Sequence, residues 1–287
     1  MHHERSNATK KRAQLAKTLA LAGLGLVALP LSAIAAPGLA PHRAVYDLKL
    51  ADAQDRSGIR AARGRLAVEI SAAGCEGWTV NVRFVNQFTL RRGKSSVLDI
   101  HNSSFETSDG RSMDFSSREY VNGKLQTEAK GRARIAGGTG AVAMTKPTEE
   151  TFDLPKNTAF PLAHTRRLLG LAREGKTLDE INLYEGSAEK KVFTASSVIG
   201  KKRAPGAAKH ASEGKHNDAL KPLSSWPMTV SYYDPAEKIE GEQVPSHQMS
   251  FQLFDNGVTG DLTIDYGDFK MKGALTHLEM LEPPGCD

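Results

Sequence analysis

Apolar and polar residues alternate with a period of two along most of the chain that follows the first 35 residues. The longest alternating run extends from Trp78 to Leu90, and an earlier one extends from Ala44 to Leu50. Side chains two positions apart lie on the same face of a β-strand, so each run predicts a strand with one buried face. Roughly a dozen such runs, separated by short turn sequences, predict a mainly β protein whose antiparallel sheet curls or closes.

Two local signals refine this predicted sheet. Asn122-Gly123 stands between two apolar runs, and this dipeptide is typical of a two-residue hairpin turn. In the last run, Phe269–Met280, the apolar residues change from odd to even positions near Gly273–His277. One extra residue in a strand produces such a change, so a β-bulge is expected there.

One segment has helical spacing instead. Thr158 is a candidate N-cap, Pro161 suits the first turn, and Gly175 stands where the helix should end. Between them, the residues of the less polar face recur three or four positions apart: Pro161, Thr165, Leu168, Leu171 and Ala172. An amphipathic helix among strands is expected to pack this face on the concave side of the curved sheet. His164 lies on the same side and is expected to be a hydrogen-bonded core residue, not a catalytic base.

The first 35 residues have the pattern of a secretory signal peptide. A basic cluster at Lys10–Arg12 precedes an apolar run at Thr18–Leu31, and Ala33–Ala35 is a small-x-small cleavage site. The apolar run would be about 21 Å long as a helix, too short for a bilayer core of about 30 Å. We therefore predict a cleaved signal peptide at 1–35 and an exported single domain at 36–287 without stable membrane insertion. The alternative is an uncleaved N-terminal anchor.

The positive charge of the chain belongs mainly to this leader. The chain has 287 residues and a formal net charge of +5, and residues 1–35 contain five bases and one acid. The rest of the chain therefore carries 5 − 4 = +1. This excludes nucleic acid as a partner suggested by charge.

A second segment departs from the strand pattern. Gly200–Ser225 contains Lys201-Lys202-Arg203, two histidines, and almost no bulky apolar residue. Such a composition cannot bury enough apolar surface to order a chain, so we predict a disordered insertion at 200–225. Its basic side chains are expected to be solvated, and contact with anionic lipid or cell wall is the alternative.

Cys75 and Cys286 are the two cysteines of the chain, separated by 286 − 75 = 211 positions. An even number of cysteines in an exported protein favours a disulfide. The alternatives are a redox-active pair and two free thiols, although no C-x-x-C sequence is present.

No sequence signature of an enzyme is present. The Gly-rich stretch at Gly137–Gly140 does not complete a dinucleotide-binding motif and is expected to be a turn. Asp265 and Asp268 could act in a glycosidase only if another carboxylate faced them across a cleft. We therefore expect no catalytic residue, no cofactor-binding residue and no metal ligand. A hydrolase in which Asp265 or Asp268 meets a histidine is the weakest alternative.

Several segments, taken in order, resemble one known family. They are His42–Tyr46, Gly74–Trp78, Phe160–Pro161 with His164 and Leu168–Leu169, Tyr184–Ser187, Trp226–Tyr233, Met249–Phe251, Asn256–Val258, Asp265–Phe269 and Cys286. Together they resemble the cell-envelope-integrity protein B (EipB) family, formerly a domain of unknown function, over essentially the whole chain after the leader.

The resemblance implies a periplasmic, monomeric β-spiral, an incompletely closed barrel of a dozen or more strands around one helix, similar in shape to periplasmic lipoprotein carriers. It also implies a disulfide between Cys75 and Cys286, no catalytic residue, and a periplasmic tetratricopeptide-repeat protein as functional partner. The expected function is support of cell-envelope integrity by a non-catalytic binding or scaffold protein. The alternative is a carrier or chaperone of lipids or lipoproteins, which would bind a hydrophobic or lipid-like ligand in an apolar groove lined by the Trp78–Leu90 face and the Phe251–Phe269 region.

Overall fold

The computed structural model of the protein describes residues 38–188, 190–207, 218–236 and 243–282. These residues form 15 β-strands and one α-helix, α1, which spans Pro161–Arg173. The strands are β1 His42–Ala53, β2 Ile59–Ala73, β3 Gly77–Leu90, β4 Ser95–Thr107, β5 Ser112–Val121, β6 Lys124–Ala136, β7 Thr139–Lys146, β8 Glu150–Leu154, β9 Thr158–Ala159, β10 Leu178–Tyr184, β11 Val192–Ile199, β12 Ser225–Tyr233, β13 His247–Phe254, β14 Thr259–Asp265 and β15 Phe269–Met280. The predicted signal peptide at 1–35 lies outside the described residues, and so does Cys286. The signal peptide and the disulfide between Cys75 and Cys286 therefore both remain predictions.

All 15 strands belong to one sheet, in the order β8-β7-β6-β5-β4-β3-β2-β1-β15-β14-β13-β12-β11-β10-β9. Neighbouring strands are antiparallel, except that β9 and β10 are parallel. β1 pairs with both β2 and β15, so the first and last strands are neighbours in the middle of the sheet. β8 and β9 form its two edges, and the sheet is nearly but not completely closed. This confirms the prediction of a mainly β, incompletely closed barrel.

The local strand signals are confirmed. Asn122 and Gly123 have φ angles of 52° and 76° in the turn between β5 and β6. Val45 pairs with His277 while the next residue of β1 pairs with Leu275, so Thr276 is the extra residue of a bulge in β15. The bulge lies within the predicted range, and it explains why the apolar residues of β15 change position.

The helix begins differently from the prediction. Phe160 occupies the N-cap position with an extended backbone, and its side chain makes no capping hydrogen bond. Thr158 as N-cap was therefore a wrong prediction, because this residue pairs with β10 as part of β9. Its hydroxyl donates a 2.7 Å hydrogen bond to the carbonyl oxygen of Pro155. The predicted C-terminus is confirmed, since Gly175 follows the last turn with a φ of 74°.

The start of α1 is capped from a distant strand. Glu106 on β4 is fully buried, and its carboxylate accepts hydrogen bonds of 2.8 Å and 3.1 Å from the backbone amides of Leu162 and Ala163. Free amides at a helix N-terminus favour a negative charge. Burial raises the pKa of Glu106, and these two amides oppose that shift. The helix is thereby fixed to the inner face of the sheet.

The apolar face of α1 packs on the concave side of the sheet, as predicted. Its buried residues Leu162, Leu168, Leu169 and Ala172 belong to one core cluster with residues of β10–β13, among them Leu183, Ala195, Trp226, Met228, Val230 and Leu253. The predicted stripe did not include Leu162 or Leu169, because the sheet covers a wider arc of the helix than the spacing of apolar residues indicates.

Both faces of the end of β10 pack against hydrophobic clusters. Leu183 belongs to the cluster around α1, whereas Tyr184 belongs to a second cluster with residues of β5–β8. The ring of Tyr184 lies edge-on to Phe115 and Phe152, with ring centroids 5.6 Å and 5.8 Å apart. One end of the sheet therefore winds past the other, which is the spiral arrangement that the family resemblance implies.

The flanks of the predicted insertion at 200–225 are folded. Arg203 and Ser225 exchange backbone hydrogen bonds of 2.7 Å and 3.1 Å. Leu220 is 1% exposed and packs in a core cluster with Tyr46 and Phe254. Disorder over the whole range is thus a wrong prediction for these flanks, because one leucine and one strand bridge attach them to the core. Residues 208–217 lie outside the described residues.

Candidate functional site

The interior of the spiral contains a cavity that α1 leaves unfilled. Its volume is about 270 Å³, and the walls come from β1, β2, β10, β12, β13, β14 and one side of the helix. The apolar part of the lining includes Leu66, Val68, Leu168, Val230, Met249 and Phe251. A cavity of about 150 Å³ holds benzene, so this one has room for a larger apolar group.

Strand alternation explains why the lining is mostly apolar. Leu66 and Val68 are two positions apart on β2, and Met249 and Phe251 are two positions apart on β13, so each pair faces the interior. A hydrogen bond holds two of the walls together, because the hydroxyl of Tyr46 on β1 donates to the carbonyl oxygen of Thr259 at 2.6 Å. Burial raises the pKa of Tyr46 to about 12, so this hydroxyl keeps its proton.

His164 supplies one of the polar groups of this cavity. Its side chain faces the cavity from α1, and the residue is 5% exposed. Its Nε2 atom is buried and has no hydrogen-bond partner among the described residues. Burial lowers the pKa of His164 to about 4, so the ring is neutral at neutral pH. The prediction of a core position is confirmed, whereas the expected hydrogen bonding was wrong for Nε2, because the neighbouring cavity wall is apolar.

Glu185 supplies the second polar group, directly after β10. Solvent reaches its side chain, yet burial among surrounding protein atoms raises its pKa to about 7. Both observations fit a carboxylate that faces an internal cavity. Within the described part of the chain, Glu185 makes no hydrogen bond and no ion pair. Glu185 lies in the Tyr184–Ser187 segment of the family resemblance, but no local pattern marked it as a site residue, since an isolated glutamate before a glycine is typical of a loop.

A row of aromatic rings leads from the cavity to the surface. Tyr232 lines the cavity and stacks on His247 with ring centroids 4.3 Å apart. The ring centroids of His247 and Tyr266 are 6.3 Å apart. Tyr266 in turn stacks on Phe269, with ring centroids 4.7 Å apart. Tyr266 is 37% exposed, so the row extends to solvent. No local sequence pattern brings these rings together, because Tyr232 and His247 lie on separate strands and Tyr266 lies in the β14–β15 turn.

The acidic pair at the β14–β15 turn is occupied by structural contacts. Asp265 lies 2.8 Å from the ammonium of Lys270 and accepts a 2.9 Å hydrogen bond from the amide of Gly267. Asp268 lies 2.6 Å from Arg56. These contacts stabilise the turn between β14 and β15. Gly137 and Gly138 likewise have positive φ angles, 59° and 83°, between β6 and β7.

The opposite face of the sheet has a larger open depression of about 450 Å³. Its arginines are paired with acids: Arg43 lies 2.5 Å from Glu69, and Arg83 lies 2.9 Å from Asp99. Exposed ion pairs of this kind contribute little to the stability of the fold, and they leave no unpaired charge that could attract a ligand. The internal cavity, with its unmatched carboxylate, is therefore the stronger candidate site.

Two classes of site have no support in the described ranges. Across residues 38–188, 190–207, 218–236 and 243–282, no three side chains of the metal-binding types lie close enough to hold a metal ion. The helix within those ranges is too short and too polar to cross a bilayer.

The fold and the cavity define a class of protein, a nearly closed antiparallel β-spiral around one helix with an apolar interior. The chain belongs to the EipB-like family, whose sequence profile matches residues 33–282. It is 36% identical over 252 residues to the cell envelope integrity protein EipB of Brucella abortus (strain 2308), covering 88% of each chain. It also matches the crystal structure of a β-barrel-like protein of a domain of unknown function from Brucella abortus. That match has a TM-score of 0.78 and 34% identity, and it covers 86% of this chain and 100% of the other.

Proposed function

We propose that the protein supports the integrity of the bacterial cell envelope as a non-catalytic binding protein of the periplasm. The observation that carries this proposal is the 36% identity, over 88% of both chains, to a relative named for that role. The leader pattern at residues 1–35 supports export to the compartment in which an envelope protein would act.

The polar groups of the cavity support a binding role over a catalytic one. General-base catalysis needs a base oriented by a hydrogen-bonded partner and set beside a nucleophile. Burial lowers the pKa of His164 to about 4, which makes the ring a weak base at neutral pH, and its Nε2 atom has no hydrogen-bond partner in the described ranges. An apolar cavity with a few polar groups is, in contrast, the usual form of a small-molecule binding site.

A second candidate function is carriage of a hydrophobic or lipid-like ligand, and the cavity favours it. The helix does not fill the interior of the spiral, and apolar residues on the inner face of β2–β4 remain half-buried, among them Val68, Val82, Phe84 and Ile100. Apolar side chains that are left accessible inside a protein mark a ligand site more often than a defect of packing. On this proposal, the ligand lies in the 270 Å³ cavity beside α1.

Complementation of a deletion strain tests the envelope role and its dependence on export. The measurement is survival of the bacterium in detergent and in a cell-wall antibiotic. We expect the full chain to restore survival, and residues 36–287 without the leader to fail. Restoration by the leaderless chain would contradict the periplasmic role.

A cavity-filling variant separates the two candidates. Val68→Phe places a phenyl ring in the space that the cavity now occupies. Val198→Phe adds the same ring at a position of β11 that is 52% exposed. Thermal unfolding confirms that both variants fold. If carriage underlies the function, Val68→Phe fails to restore survival and Val198→Phe restores it. Equal restoration by both would contradict carriage and leave the envelope role standing.

A further inference from the structure

The charge of the cavity is one-sided. Among the residues that line it, Glu185 alone becomes charged, above its pKa of about 7, and the lining contains no lysine and no arginine. The other titratable groups there are His164, Tyr46 and Tyr232, all of which burial keeps neutral. The cavity is therefore electrostatically complementary to a cation.

An ionised carboxylate in this position lacks the partner that such a group normally has. An ionised carboxylate is destabilised where surrounding protein atoms displace part of its water and no opposite charge or hydrogen bond compensates it. The carboxylate of Glu185 has neither within the described part of the chain. A positively charged group in the cavity would supply the missing interaction, and it would also favour the ionised form of Glu185.

Aromatic rings complete the surroundings of this carboxylate. Glu185 interacts electrostatically with Tyr232 strongly enough to raise the pKa of the Tyr232 hydroxyl further. Tyr232 lines the same cavity, as do Tyr46 and Phe251. Ring faces attract ammonium groups, and the combination of a carboxylate with aromatic rings is a common way to bind them.

We propose that the cavity binds amphiphiles whose polar group is a cation, with an ammonium beside Glu185 and Tyr232 and a hydrocarbon chain between the β2 and β13 walls. The buried, unpartnered Nε2 of His164 supplies a further hydrogen-bond position in the same space. This inference rests on the proposed binding of an apolar ligand at this cavity, and it adds the charge of that ligand.

Three probes with one chain length test the charge preference. Octylamine, octanol and octanoate are titrated into the protein at about pH 8, above the pKa of Glu185, and binding is measured by calorimetry. We expect octylamine to bind at least about tenfold more tightly than the other two, because only its head group pairs with the carboxylate. Glu185→Gln is expected to reduce this preference to about twofold or less while octanol binding is unchanged.

Glu180→Gln is the matched control, because Glu180 is an exposed carboxylate on β10 that does not line the cavity. Its preference for octylamine should equal that of the wild type. Thermal unfolding shows whether Glu185→Gln folds, and we expect a melting temperature at or above that of the wild type.

The outcomes separate this inference from the proposed function. Equal binding of all three probes by the wild type would overturn the charge preference and leave ligand binding intact. If none of the three probes bound, both the charge preference and the proposed ligand binding at the cavity would be overturned. A preference for octylamine that survives in Glu185→Gln, or that Glu180→Gln also removes, would show that Glu185 is not its source.

Discussion

Glu106 on β4 accepts a 2.8 Å hydrogen bond from the backbone amide of Leu162, a residue 56 positions later at the start of α1. The second oxygen of the same carboxylate accepts from Ala163. A side chain from the sheet thus does what an N-cap residue does in most helices. Because His164 follows directly, this contact also sets where the helix meets the cavity.

Removing the charge of Glu106 should loosen this attachment. Glu106→Gln replaces one of the two acceptor oxygens by an NH2 group, which cannot accept a hydrogen bond, so one of the two helix amides loses its acceptor, and we expect a loss of about 2 kcal/mol in the free energy of unfolding. Urea unfolding followed by circular dichroism measures it. Glu76→Gln, an exposed change in the β2–β3 turn, should alter the stability by less than about 0.5 kcal/mol. Equal effects of the two variants would contradict the capping role.

Glu185 should make the stability depend on pH. Its pKa is about 7 in the folded protein and 4.5 as the reference value for an unfolded chain. A raised carboxyl pKa means that the folded state holds its proton longer, so stability is fully present below 4.5 and falls as the pH rises towards 7. Glu185→Gln lacks this decrease. The difference in melting temperature between the variant and the wild type should therefore grow across this range, whereas the difference for Glu180→Gln stays constant. A constant difference for both would show that Glu185 titrates normally.

His164 should make the stability depend on pH in the opposite direction from Glu185. Its pKa is about 4 in the folded protein against 6.5 as the reference value, so its contribution is fully present above 6.5 and is lost as the pH falls towards 4. Nearby Asp179 opposes this shift and Arg167 adds to it, and both remain in a leucine variant. We expect His164→Leu to be more stable than the wild type at neutral pH by about 1 kcal/mol, because an unpartnered buried nitrogen is removed.

Denaturant titrations of His164→Leu at several pH values measure this effect. The advantage of the variant over the wild type should increase below pH 6.5, where only the wild type loses stability through the ring. A variant that is less stable than the wild type at neutral pH would indicate that Nε2 has a partner.

The cysteines carry a prediction of their own. If Cys75 and Cys286 are bonded, Cys75→Ser and Cys286→Ser should lower the melting temperature equally, and the double variant should lose nothing more. The chain-entropy model gives about 5 kcal/mol as an upper bound for a loop of this length. Reduction by dithiothreitol should reproduce the loss in the wild type alone. Additive losses in the double variant would show that the two sulfurs are not joined.

Much of the fold could be predicted from the sequence because the strands follow from the local alternation of apolar and polar residues. The run from Trp78 to Leu90 coincides with β3, and the Asn122-Gly123 turn and the bulge at Thr276 lie where the pattern changes. Each of these signals depends only on residues a few positions apart. The concave packing of the helix followed from its one apolar face.

The site could not be predicted in the same way. The contact of Glu106 with α1 joins two segments 56 positions apart, and no local pattern distinguishes this glutamate from one that faces solvent. Glu185 and His164 line one cavity because α1 packs on the sheet at β10–β13, which is a tertiary contact that no local pattern reveals. Thr158 misled the helix prediction because a two-residue strand, β9, takes a position that the sequence pattern assigned to a cap.

Native mass spectrometry of the protein isolated from bacterial cells that express the full chain tests the central claim most directly. The account predicts that the wild-type protein carries a small amphiphile with an ammonium group. Glu185→Gln should lose this ligand or bind it weakly, Val68→Phe should be empty, and Glu180→Gln should carry the same ligand as the wild type. A wild-type protein that shows only the mass of the polypeptide, and that takes up no octylamine when it is offered, would contradict the account.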